Sequence, residues 1–139
     1  MRDIPDTPLK ITIVAGEKSG DELGAPLMKS LKSINPSIEF IGVGGSKMTS
    51  EGLESYFDMS EISVMGIIEP LLNLRKLLQL RKGLKKYLLH HKPDIFIGID
   101  SPDFNLPISK FLKKNLQIKT IQYAVSYTHL RAHETDLNR

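Results

Sequence analysis

The stretch Ile11-Thr12-Ile13-Val14-Ala15-Gly16-Glu17-Lys18-Ser19-Gly20-Asp21 decides the fold. Its first five residues are β-branched or small and read as a buried strand, which runs straight into a glycine loop. A helix is expected next. Asp21 is placed to cap it, and Leu23, Leu27, Met28, Leu31 and Ile34 recur at helical spacing until Asn35-Pro36 stops it. Pro26 fits only if the regular helix starts within a turn before it, because deeper inside its ring would meet the carbonyl four residues back.

The same rhythm continues outward. Glu39 to Val43 reads as a second strand closing on Gly44-Gly45, and Ser46 as the cap of a short helix ending near Gly52. From Leu53 to Gly66 no period decides: Tyr56-Phe57 and Ile62-Ser63-Val64 fit short strands or packed loop equally. Pro70 opens a long leucine-rich helix that ends at about His91, before Lys92-Pro93. Ile95 to Ile99 is a continuous apolar strand ending in Asp100-Ser101-Pro102-Asp103. Asp103 reads as the cap of a helix with Phe104, Ile108, Phe111 and Leu112 on one face and its end near Asn115, and Ile118 to Tyr123 forms another strand. Strands alternating with helices through short connections imply an α/β, Rossmann-like doubly wound parallel sheet.

Composition agrees with one folded domain. The chain has 139 residues, 40% hydrophobic and 25% charged. With no cysteine, a disulfide framework, a thiolate metal site and a cysteine nucleophile are excluded, and a reducing compartment is expected. A net charge of +3, from 19 basic against 16 acidic residues, is too slight for a nucleic-acid-binding protein. Met1 to Lys10 has no apolar run of the kind that leads a secreted chain, and no apolar segment approaches the roughly 20 residues that span a bilayer. A cytoplasmic protein, with at most peripheral membrane contact, is expected.

In a doubly wound sheet ligands lie outside the carboxyl ends of the strands, which is where 16–21 and 100–105 fall. The first loop matches neither G-x-G-x-x-G nor G-x-x-x-x-G-K-[ST], so it serves either as a tight turn or as a binding loop at a helix N-terminus. Glu17 is not needed for capping, since Ser19 and Asp21 can do that, so it reads either as a ligand contact or as part of the tight turn. Asp100 ends an apolar strand, where partial desolvation would raise its pKa and suit it to act as a general base. Its alternative is to cap the turn before Pro102, for which Ser101 and Asp103 also serve.

Ile67, Ile68, Leu71, Leu72, Leu74, Leu77 and Leu78 are more apolar side chains than one core-facing stripe requires. Arg75, Lys76, Arg81, Lys82, Lys85, Lys86 and Lys92 accompany them with no acid between Glu69 and Asp94. The segment is either an interfacial helix meeting anionic lipid or a buried helix start with a solvated basic face. His129 and His133 stand four apart but lack the H-E-x-x-H order and a third ligand, so no metal site is assigned. His90 and His91 suit the dipole at a helix C-terminus.

Four runs taken together closely resemble the lipid-A-disaccharide synthase family. They are Ile13-Val14-Ala15-Gly16-Glu17-Lys18-Ser19-Gly20-Asp21; Phe40-Ile41-Gly42-Val43-Gly44-Gly45 with Met48; Ser63-Val64-Met65-Gly66-Ile67; and Lys92-Pro93-Asp94-Ile95-Phe96-Ile97-Gly98-Ile99-Asp100-Ser101-Pro102-Asp103-Phe104-Asn105. The resemblance covers about residues 9–123. It implies the acceptor-side half of a two-domain, GT-B-type inverting glycosyltransferase without metal or cofactor. That enzyme joins a UDP-linked diacylglucosamine to diacylglucosamine 1-phosphate and releases UDP, on the inner face of the Gram-negative inner membrane. The resemblance puts Asp100 at the base and Glu17 in the active-site loop, with Gly16, Ser19, Gly20, Asp21, Met65, Asp103 and Asn105 at the substrate. Ile67, Ile68, Leu71, Leu72, Leu74, Arg75, Lys76 and Leu77 fall on its lipid-facing surface. The donor half is missing, so this chain alone is expected to be inactive. From Ala124 onward, residues 124–139 resemble read-through of vector sequence and are expected to lie outside the domain.

Overall fold

A computed structural model describes residues 8–67 and 70–123, with the side chains of 65–72 outside that description. The expectations for Met65, Ile67, Ile68, Leu71 and Leu72 as contact residues, and for the tail 124–139, therefore lie outside the described residues.

Five strands, β1 (Lys10–Ala15), β2 (Glu39–Val43), β3 (Leu53–Ser55), β4 (Ile95–Ile99) and β5 (Lys119–Tyr123), form one sheet in the order β3-β2-β1-β4-β5. Every pairing is parallel: Ile13 stands opposite Gly42 on one side and Ile97 on the other. This is the expected α/β doubly wound sheet. Between them run α1 (Lys18–Ile34), α2 (Ser46–Ser50), α3 (Ser60–Ile67), α4 (Pro70–His91) and α5 (Pro102–Leu116).

Apolar runs produce two cores, one on each face of the sheet. Val14, Phe96, Leu84, Leu88, Phe104, Ile108 and Leu112 pack one face with α4 and α5, while Ile11, Ile13, Ala15, Met28, Met48, Ile97 and Ile99 pack the other with α1 and α2. Fully buried leucines such as Leu84 and Leu88 each contribute about 1.5 to 3 kcal/mol. Gly42 has φ +144°, and a Cβ there would overlap the Ile13 carbonyl, so only glycine lets β1 and β2 pair at that level.

Several local expectations are corrected. α1 starts at Lys18, so Pro26 lies well inside it; Pro26 and Glu22, whose carbonyl would have received its amide bond, are both exposed, and water can serve that carbonyl. Asp21 does not cap its own helix. Its carboxylate crosses to α2, where Oδ1 accepts the amides of Gly45 and Met48, both at 2.9 Å, and Oδ2 accepts that of Lys47 at 3.1 Å. Ser46 accordingly makes no cap; Gly45 holds that position. The undecided stretch resolves into β3 and α3, the latter begun by Asp58 accepting the Ser60 amide at 2.9 Å. Asp103 sits in the first turn of α5 rather than capping it, and α5 runs one residue past Asn115 to end on left-handed Gln117.

Candidate active site

Strand order reverses between β1 and β4, leaving a crevice above their carboxyl ends. Gly16 and Glu17 leave β1 there, and Asp100 and Ser101 leave β4 beside them. The two connections approach closely: a Cβ on Gly16 would stand 2.6 Å from Ser101 Oγ. A cleft of about 300 Å³ opens here, lined by Gly16, Glu17, Ile62, Ser63, Leu77 and Ser101 among others. α3, α4 and α5 add Ile62, Leu77 and Phe104 as apolar lining and Ser63, Asn73 and Asp103 as polar lining.

Asp100 directly follows β4, beside the cleft. Asp100 and Ser101 both adopt left-handed backbone, with φ 49° and 42°. For non-glycine residues this costs roughly 1 to 2 kcal/mol each and persists only where the surroundings enforce it. Burial, and then the nearby Glu17 carboxylate, raise the Asp100 pKa above its ordinary value. Glu17 is exposed, and Ser19 Oγ donates to its Oε1 at 3.2 Å. Glu17 lines the cleft, and its carboxylate is near enough to Asp100 to act on it.

The remaining expected site residues divide by location. Gly16 and Asp103 line the cleft, and Ser19 orients Glu17. Gly20 is buried against Ala15 and Ile99, where it lets α1 settle on the sheet. Asp21, 4% exposed and committed to α2, does not present to the crevice. Asn105 is wholly buried beneath the loop, donating to backbone carbonyls, while its Oδ1 has no protein partner.

In the sequence Arg81 stands out only as part of a basic run. Its Nη2 donates to the Asp103 carbonyl at 2.7 Å and its guanidinium lies 5.7 Å from the Phe104 ring centroid, joining α4 to α5. Burial lowers its pKa, opposed by Asp103. Ile62, Ser63, Asn73 and Gln122 were not anticipated near the site. The first two lay in the stretch without a decisive period, and nothing in sequence marks Asn73 or Gln122.

On the outer side of α4, Leu74 and Leu78 are each 49% exposed beside Arg75, Gln79 and Lys82. Leu77 packs half-buried against the core and lines the cleft. Lys76 pairs with Glu61 of α3 at 3.7 Å. Among the described residues no helix is long and apolar enough to cross a membrane.

The sequence profile of the lipid-A-disaccharide synthetase family, LpxB, matches residues 11–127. The chain belongs to this family. Curated lipid-A-disaccharide synthases are similar to it over most of its length. That of Pseudomonas fluorescens strain Pf0-1 is 56% identical over 115 residues, which cover 83% of this chain and 30% of the relative. That of Aliivibrio fischeri strain MJ11 is 52% identical over 116 residues, covering 84% and 30%. The chain thus spans about a third of the length of the synthases it matches. A solved structure, E. coli heptosyltransferase WaaC with ADP, overlays at TM-score 0.44 and 13% identity, covering 86% of this chain and 37% of that one, a likeness too loose to bear on function.

Proposed function

We propose that this chain is the acceptor-side part of a lipid-A-disaccharide synthase of GT-B type. The whole enzyme transfers diacylglucosamine from its UDP-linked form to diacylglucosamine 1-phosphate with inversion at the sugar carbon. The observation that carries this reading is Asp100, strained, partly desolvated and near the like charge of Glu17 at the switch point of a sheet that belongs to this family.

In the proposed step the Asp100 carboxylate takes the proton of the acceptor hydroxyl as its oxygen attacks the sugar carbon; the carbon–phosphate-oxygen bond breaks and UDP leaves with the electron pair. Donor contacts come from the part of the synthase that this chain does not span, so the chain alone is expected to be inactive. Acceptor-dependent UDP release by the full-length protein tests the reaction, and its absence would leave only lipid binding. In that assay Glu17→Gln removes the like charge that raises Asp100. The acid limb of kcat/KM, where protonation silences the base, is therefore expected to move to lower pH. An unmoved limb would separate Glu17 from Asp100.

The exposed Leu74 and Leu78 beside Arg75 and Lys82 support peripheral docking on an anionic membrane, proposed to be the inner face of the inner membrane. Half-exposed leucines gain about 1 kcal/mol each on burial in acyl chains, so replacing both by serine is expected to weaken vesicle binding about tenfold or more. Sedimentation of the full-length protein with phosphatidylglycerol vesicles reads this; unchanged binding would remove α4 from the contact.

A further inference from the structure

We propose that Asn105 is the positioning residue for the Asp100 carboxylate, with Gln122 as its second arm. The proposal rests on the reading of Asp100 as the base. It also reassigns Asn105, expected at the substrate, to a place where no substrate reaches it, since its side chain is fully buried.

Asn105 Nδ2 points at a cluster of backbone carbonyls. It lies 2.9 Å from that of Asp100, 3.3 Å from that of Val14 at the end of β1, and 3.5 Å from that of Ile99 at the end of β4. Three acceptors fix the amide's orientation, because turning its oxygen inward would set it against all of them. Gln122 Nε2 reaches the same Asp100 carbonyl at 2.9 Å from β5, and the Asp100 amide donates to the Tyr123 carbonyl at 3.0 Å. Both peptide groups flanking the Asp100 side chain are thereby held.

This clamp is what the left-handed backbone at residues 100 and 101 requires. No glycine stands at either position, and the turn has no side-chain cap. Without the two amides the Asp100 carbonyl can swing toward an ordinary backbone region and carry the carboxylate away from Glu17. Gly98 supplies the room: a Cβ there would stand 2.7 Å from Gln122 Oε1 and 2.9 Å from Asn105 Cβ. A buried asparagine, an exposed glutamine and a glycine on three different elements converge on the backbone of one residue.

The test uses the full-length synthase with both substrates. Gln122→Ala is expected to lower kcat about tenfold and Asn105→Ala about a hundredfold, with KM within about twofold, as for a displaced reacting group. The acid limb should move to lower pH as the carboxylate leaves its partly desolvated position beside Glu17. In an Asp100→Asn background neither change should alter the residual rate. Unchanged kcat in both variants overturns the proposal, as does a loss that leaves the limb in place and recurs in the Asp100→Asn background. Should Asn105→Ala not fold, Gln122→Ala, on an exposed side chain, decides alone. If Asp100→Asn keeps the parent rate, the base assignment itself falls, a result distinct from Asn105 failing to position an essential Asp100.

Discussion

Asp100→Asn in the full-length synthase is expected to cut kcat by about 10²- to 10⁴-fold while making the protein slightly more stable. The loss follows from removing the only acceptor of the proton in the proposed step, and a thousandfold loss is about 4 kcal/mol of transition-state stabilisation. The gain follows from two observations. Asparagine tolerates left-handed backbone better than most residues, and Asp100 has φ 49°. The folded-state pKa of Asp100 is also raised, by burial first and Glu17 second. An acid with a raised folded pKa destabilises the fold where it is ionised, above that pKa, and not below its unfolded value, since there both folded and unfolded chains hold the proton. The variant should thus gain stability near neutral pH, and the part due to charge, reduced by solvent screening, should fade as pH falls into the ordinary carboxylate range. Initial rates with thermal unfolding at two pH values measure both. A variant that keeps its rate would remove Asp100 from the chemistry, and one less stable at neutral pH would mean the carboxylate is favoured where it sits.

The sheet was readable because each central strand is a continuous apolar run ending in glycine or in Asp100, a pattern that parallel strands covered on both faces impose. The crevice was readable for the same reason, since chain order alone brings 16–21 and 100–105 to the carboxyl ends of β1 and β4. What escaped were features set by tertiary partners. β3 has three residues and α3 has apolar side chains without a clear stripe, so neither declares itself by period. Capping was misassigned wherever the cap comes from a distant element: Asp21 looks local in sequence and bonds 24 to 27 residues away. Asn105 reads as a polar helix residue near a site, and only the positions of Val14, Ile99 and Asp100 show that it faces backbone rather than ligand. Gln122 carries no signal because β5 pairs beside β4 only once the sheet has formed.

Asp21→Ala is expected to destabilise the domain by about 3 kcal/mol, the largest single effect on stability among these substitutions. α2 has five residues and no side-chain cap of its own, so its first amides depend on the Asp21 carboxylate. The Met48 amide is buried, and stripping its acceptor leaves a donor that water cannot readily reach. Asp21→Asn keeps one acceptor oxygen but turns an NH₂ toward a backbone donor, and should fall between parent and alanine. Urea titration of the full-length protein, following the transition that unfolds this sheet, reads the loss; faster hydrogen exchange at Gly45, Lys47 and Met48 localises it. The same experiment separates this role from the substrate contact that resemblance implied for Asp21. A contact residue would raise KM and leave stability within about 0.5 kcal/mol of the parent. A staple between α1 and α2 lowers stability and leaves the KM of the folded fraction unchanged, and the three amide bonds require the second result.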